Sequence, residues 1–180
     1  MSKLNFESFS RLFPLVSEVE AVEVVDGSLV PEPYRRLLVH RFHMTVTVES
    51  YFGDRVNVNV VESKRRDDST YSREIFLSLV QSGRIVQFGV VTIDLNALPG
   101  NVSEIILSEA VPLGRALIEN NVLTTIEPHC YLKVALAPAF CERFQYPHPA
   151  TTYGRIGQIR ANGQPAIDVL EILVPGLVDG

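Results

Sequence analysis

The chain is poor in the residue types that announce most specialised chemistries. Cysteine occurs twice in 180 residues, as Cys130 and Cys141. The two have no metal-ligand spacing and no further partners, so they read as reduced thiols of a cytoplasmic protein rather than a zinc site or a disulfide framework. Basic residues are outnumbered, 16 Lys and Arg against 21 Asp and Glu, for a net charge of -5. That removes the positive excess which nucleic-acid and lipid-headgroup surfaces require. The densest basic run, Lys64-Arg65-Arg66, is followed at once by Asp67-Asp68 and reads as a solvated hairpin tip. No apolar stretch is long enough to span a membrane, and "MSKLNFESFSRLF" lacks the uninterrupted apolar segment of a signal peptide. There is no internal repeat, no Walker, H-E-x-x-H or C-x-x-C motif, and no ligand pattern among His40, His43, His129 and His148. The expectation is a protein without metal or organic cofactor and without a membrane or nucleic-acid partner.

What is present is the composition of an ordinary globular domain, 46% apolar and 21% charged, spread over a length that suits one domain across residues 1–180. Residues 4–16 and 31–40 carry helical patterns, with Pro33 in the permitted first turn. Strand patterns follow. "HMTVTVES" alternates Met44, Val46 and Val48 against His43, Thr45 and Thr47, and "RVNVNVVE" alternates cleanly from Arg55. "TYSREIFLSLV" is a third, then a turn at Ser82-Gly83, then "RIVQFGVVTIDL", apolar on both faces like a central strand covered by helices. Helices are expected from Asn101, with Glu104 three residues on, and over 112–121. Four prolines break up residues 122–152. The chain closes on a hairpin whose turn is Asn162-Gly163. Consecutive strands on short turns, with helices between, predict an α+β fold: an antiparallel β-sheet covered by helices.

Two charges sit where the patterns want apolar residues. By period two Arg73 shares a face with Tyr71, Ile75, Leu77 and Leu79, and Glu171 shares one with Ile167, Val169 and Leu173. A charge buried there is costly unless paired or hydrogen-bonded. Three arrangements satisfy it: the two pair with each other, they lie at an exposed edge, or they line an internal pocket whose polar ligand completes them. The planar fork of arginine suits a carboxylate ligand.

The order of the unusual residues resembles the chorismate pyruvate-lyase family, which makes 4-hydroxybenzoate and pyruvate from chorismate. "HMT" at 43–45, "SREIFL" at 72–77, "PLGRAL" at 112–117 and "YGRIGQIRANGQPAIDVLEILVP" at 153–175 resemble that family's motifs in the same order, over roughly residues 31–175. The resemblance implies an internal ligand pocket formed by Met44, Arg73, Leu113 and Glu171. In it Arg73 holds the ring carboxylate with help from the backbone amides at Met44 and Leu113. Glu171 stands at the opposite end of the ring as the acid/base. It also implies a cofactor-free carbon–oxygen lyase acting on chorismate, either a monomer or a small homo-oligomer. Region 122–152 departs from the family in its prolines and belongs to the part that covers the pocket. The competing reading is a non-catalytic binding or sensor protein for an aromatic carboxylate, because the same fold serves as the effector module of bacterial transcription regulators. Those carry a helix-turn-helix ahead of the module, for which the first thirty residues are too few. A third is a related chorismate enzyme with a different product.

Overall fold

The computed structural model describes residues 5–178, apart from the side chain of Ser17. Among these residues one sheet contains β1 (Val19–Val25), β2 (Val56–Arg65), β3 (Thr70–Leu79), β4 (Ile85–Asp94), β5 (Thr124–Leu136), β6 (Ala150–Ala161) and β7 (Gln164–Leu173). Their order is β1-β5-β6-β7-β4-β3-β2, and every neighbouring pair is antiparallel. Two meanders, β2–β3–β4 and β5–β6–β7, are joined where β7 returns to the open side of β4. The turns at Ser82-Gly83 and Asn162-Gly163 fall where the sequence puts them. Gly83, Asn162 and Gly163 all take positive φ, as tight hairpin turns demand. The architecture is the expected α+β antiparallel sheet, with β4 buried on both faces near its middle.

Helices α1 (Phe6–Ser10), α2 (Tyr34–Leu38), α3 (Met44–Phe52), α4 (Gly100–Leu107), α5 (Leu113–Glu119) and α6 (Pro138–Arg143) cover the two faces. On one face Phe88 meets Phe140 of α6 edge-on with ring centroids 5.0 Å apart, and Phe76 meets Phe144 the same way at 6.0 Å. Such pairs add to the free energy of burying the rings. On the other face Val102 and Ile106 of α4 and Ala116 and Leu117 of α5 pack with Val91, Ile159 and Val169. Period two on β3 is thus obeyed: Phe76 points to the aromatic layer, and its neighbours Ile75 and Leu77 to the layer under α3 and α5.

Three sequence expectations are corrected. "HMTVTVES" is helix α3, not a strand. Thr and Val favour strands locally, but the residues buried are Met44, Thr45 and Val48, a helical spacing, while Val46 is 48% exposed. Packing overrides propensity, and Gly53 in the left-handed conformation (φ 65°) ends the helix. The helix expected over 4–16 shrinks to α1 and a separate 3-10 turn at Leu15–Glu18, with Leu4 outside the described residues. Region 122–152 is not a lid alone, since it supplies β5, the long strand beside β6, and α6 on the aromatic face. Pro128 is tolerated inside β5 because the register slips between Pro128 and Cys130, freeing a ladder position.

Glu74, the neighbour of Arg73, is buried on the aromatic face with Oε1 lacking a hydrogen-bond partner. Burial, reinforced by Glu62 opposite it on β2, pushes its carboxyl from the ordinary 4.5 up to about 7. A raised native value means the stabilisation is complete below the ordinary value and lost as pH rises through about 7. Glu74→Gln is therefore expected to melt above the wild type at pH 8 and close to it at pH 5. Melting temperatures across that range check this, and an unchanged difference would refute it.

Candidate ligand site

A cavity of about 50 Å³ lies between the sheet and the starts of α3 and α5. The sheet side is built by period two. Arg73, Ile75 and Leu77 come from β3, Gln87, Gly89 and Val91 from β4, Val169 and Glu171 from β7, and Arg155 and Ile159 from β6. Register sets them in rows. Ile75, Gly89, Glu171 and Arg155 lie side by side across four strands, with Arg73 beside Val91 in the next row and Gln87 beside Leu77 in the row on the other side. Gly89 lacks a side chain in the middle of the floor, which leaves room above it.

The roof is His43, Met44 and Thr45 at the start of α3 and Leu113 and Gly114 at the start of α5. Met44 and Leu113 are the first residues of their helices, where backbone N–H groups have no intrahelical acceptor. A Cβ on Gly114 would lie 2.7 Å from the Thr45 hydroxyl oxygen and 3.2 Å from the His43 Cβ, so glycine is what lets the two helix starts meet. All four residues nominated from sequence, Met44, Arg73, Leu113 and Glu171, line this one cavity. Met44 reaches it from a helix start rather than from a strand.

The two nominated charges do not pair with each other. Glu171 Oε2 accepts from Arg155 Nε at 2.6 Å, a pair that is almost wholly buried. Arg155 goes on to donate through Nη1 to the carbonyls of Leu38 and His40, both at 3.2 Å, and through Nη2 to that of Phe42 at 3.1 Å. A guanidinium has five N–H groups in a fixed fork, and here the fork is used up tying the α2–α3 connection to β6. Arg155 joins the site residues that the sequence points to. Its signal is the one that marked Arg73, since "YGRIGQI" sets a charge in line with Gly157 and Ile159.

Arg73 is the contrast. It is 1% exposed, and among the described residues it forms no ion pair. Its Nη1 and Nη2 reach the carbonyls of Ile106 and Val111 only at 3.4 and 3.5 Å, and Nε has no partner. Burial lowers its pKa, opposed by the nearby Tyr71 and Glu109. Tyr71 itself donates to Glu109 at 2.6 Å, and burial together with that bond pushes its phenol up to about 12. Burial first, then Arg155, brings His40 down to about 4 and lowers His43, whose Nε2 lies 2.8 Å from the Thr124 hydroxyl. Among the described residues no group of three or more His, Cys, Asp or Glu is placed to hold a metal ion, and no helix is long and apolar enough to cross a membrane.

No protein-family model matches the sequence, and no curated protein matches it. Solved structures do share the architecture. The effector domain of PhnF from Mycobacterium smegmatis superposes with a TM-score of 0.50 at 9% identity, over 74% of this chain and 88% of that one. The ligand-binding domain of a putative GntR-family transcriptional regulator from Bordetella bronchiseptica gives 0.46 at 11%, over 69% and 91%. The C-terminal domain of a histidine utilization repressor from Pseudomonas syringae pv. tomato gives 0.44 at 11%, over 70% and 97%. At these identities the likeness is one of fold.

The expectation of a carbon–oxygen lyase is overturned. The structure that superposes at a TM-score of 0.50 is an effector domain, that of PhnF. In the cavity, the carboxylate nominated as acid/base accepts a hydrogen bond from Arg155 Nε through Oε2.

The Arg155–Glu171 pair generates its own test. Arg155→Met leaves a buried carboxylate without its cation and releases three carbonyls, and is expected to cost about 3–5 kcal/mol of stability. Arg155→Met with Glu171→Leu removes both charges and should recover a large part of that loss. Urea unfolding of the two single variants and the double variant measures the coupling, and simple additivity would show that the pair is not coupled.

Proposed function

We propose that the chain is a non-catalytic binding protein for a small aromatic carboxylate of the 4-hydroxybenzoate type, acting in the cytoplasm. The observation that carries this is Arg73: a guanidinium fully buried in a cavity wall, with Nε unpartnered and its other donors on long contacts. A buried cation left short of acceptors costs stability. A ligand carboxylate would complete it with charge-assisted hydrogen bonds. The first-turn amides of Met44 and Leu113 share the cavity and offer further donors to an anion. The rest of the lining, Ile75, Leu77, Val91, Ile126, Ile159 and Val169, suits the faces of a ring. The use of this fold as an effector domain is in keeping with such a role.

At about 50 Å³ the cavity is far below the roughly 300 Å³ or more of ordinary ligand pockets. Binding a ring therefore requires side chains to give way. Met44 and Leu113 are the ones set at helix starts rather than in the sheet, and an unbranched methionine repacks at little cost.

Calorimetry and thermal shift with 4-hydroxybenzoate test the reading. Binding should raise the melting temperature by mass action. Arg73→Met is expected to weaken binding by roughly ten- to a hundredfold, the equivalent of a charged hydrogen bond of about 1.5–3 kcal/mol. The same variant should melt no lower than the wild type without ligand, because it removes an unsatisfied buried charge. A large loss of stability with no change in binding would make Arg73 a structural residue. Release of pyruvate from chorismate would refute the non-catalytic reading.

A further inference from the structure

Resting on that reading, we infer that Gln87 selects the ligand by its far end, taking a hydroxyl substituent in place of hydrogen or methyl. Gln87 is 3% exposed, lines the same cavity as Arg73, and has no hydrogen-bond partner for Oε1. Its surroundings explain why the protein does not supply one. In register it lies between Leu77 on β3 and Leu173 on β7, and its next cavity-facing neighbour along β4 is Gly89. Two other polar groups of the cavity are committed elsewhere: Glu171 to Arg155, and His43 to Thr124. An amide buried without a partner costs about 1–3 kcal/mol, and leucine would fit the same strand without that cost.

Placement tells which part of the ligand the amide meets. Arg73 is opposite Val91, and Gln87 stands four residues from Val91 on the same strand. At the rise of an extended strand this is about 14 Å along the sheet. The row of Ile75 and Gly89 lies between. The two under-satisfied polar groups thus mark opposite ends of the cavity floor, with apolar surface and an open glycine between them. A ring carrying a carboxylate at one end and a hydroxyl at the other matches that order. A hydroxyl both donates and accepts, so it satisfies the amide whichever of its ends faces the cavity.

The test compares benzoate, 4-methylbenzoate and 4-hydroxybenzoate by calorimetry on the wild type and on Gln87→Leu, with Gln87→Met as a second variant and melting temperatures confirming that each is folded. The wild type should prefer the hydroxy acid over the methyl acid by about tenfold or more. Both variants should lose or reverse that preference while holding benzoate within about threefold of the wild type. Equal binding of all three acids by the wild type, or a preference that survives in both variants, overturns this inference and leaves the carboxylate reading standing. Failure of all three acids to bind overturns both.

Discussion

The structure turns on how two guanidiniums are buried on one face of one sheet. Arg155 is the saturated one. Its fork takes the Glu171 carboxylate on one side and the Leu38, His40 and Phe42 carbonyls on the other. This draws the connection between α2 and α3 down onto β6, and it is this connection that delivers His43 and Met44 to the cavity roof. An ion pair of this kind contributes little net stability over an apolar replacement. What it contributes is position: four acceptors from two separate stretches of chain must converge on one side chain, and few packings allow that.

Arg73 and Gln87 show the reverse. Both are buried as deeply as the residues of the aromatic layer, and each keeps an unmet hydrogen-bonding atom in the cavity wall. The opposite face of the same strands is sealed by Phe76, Phe88, Phe140 and Phe144 in edge-to-face contact. One sheet therefore carries a face sealed by aromatic packing, with the Glu74 carboxyl as its unmet polar group, and a face left polar and incomplete around a cavity. The incomplete face is the one that the helix starts cover.

Much of this was legible in the sequence, for identifiable reasons. Period two is strict in a strand, so Arg73 and Glu171 stood out as charges in apolar rows, and both line the cavity. Asn-Gly and Ser-Gly fixed two hairpins because few residues take positive φ cheaply. The misreadings share a cause. Met44–Phe52 looks like a strand because Thr and Val alternate with polar residues there, and only packing against α5 and α2 makes it a helix. The partner of Glu171, Arg155, is not evident from the sequence because the two are adjacent only through the β6–β7 register. Gln87 passed unnoticed since one neutral amide in an apolar run is unremarkable until its lack of a partner is seen. β5 was hidden by Pro128, which is compatible with a strand only through a bulge that no local pattern announces.

The contact at Gly114 has a mechanical consequence. Because no Cβ separates the backbone of α5 from Thr45 of α3, the two helix starts touch as solid bodies with no slack between them. They come from opposite ends of the β2–β3–β4 meander, far apart in sequence, yet the cavity roof depends on their contact. Repacking of the Met44 side chain alone leaves both helix starts in place, but an occupant that shifts the backbone of one presses on the other.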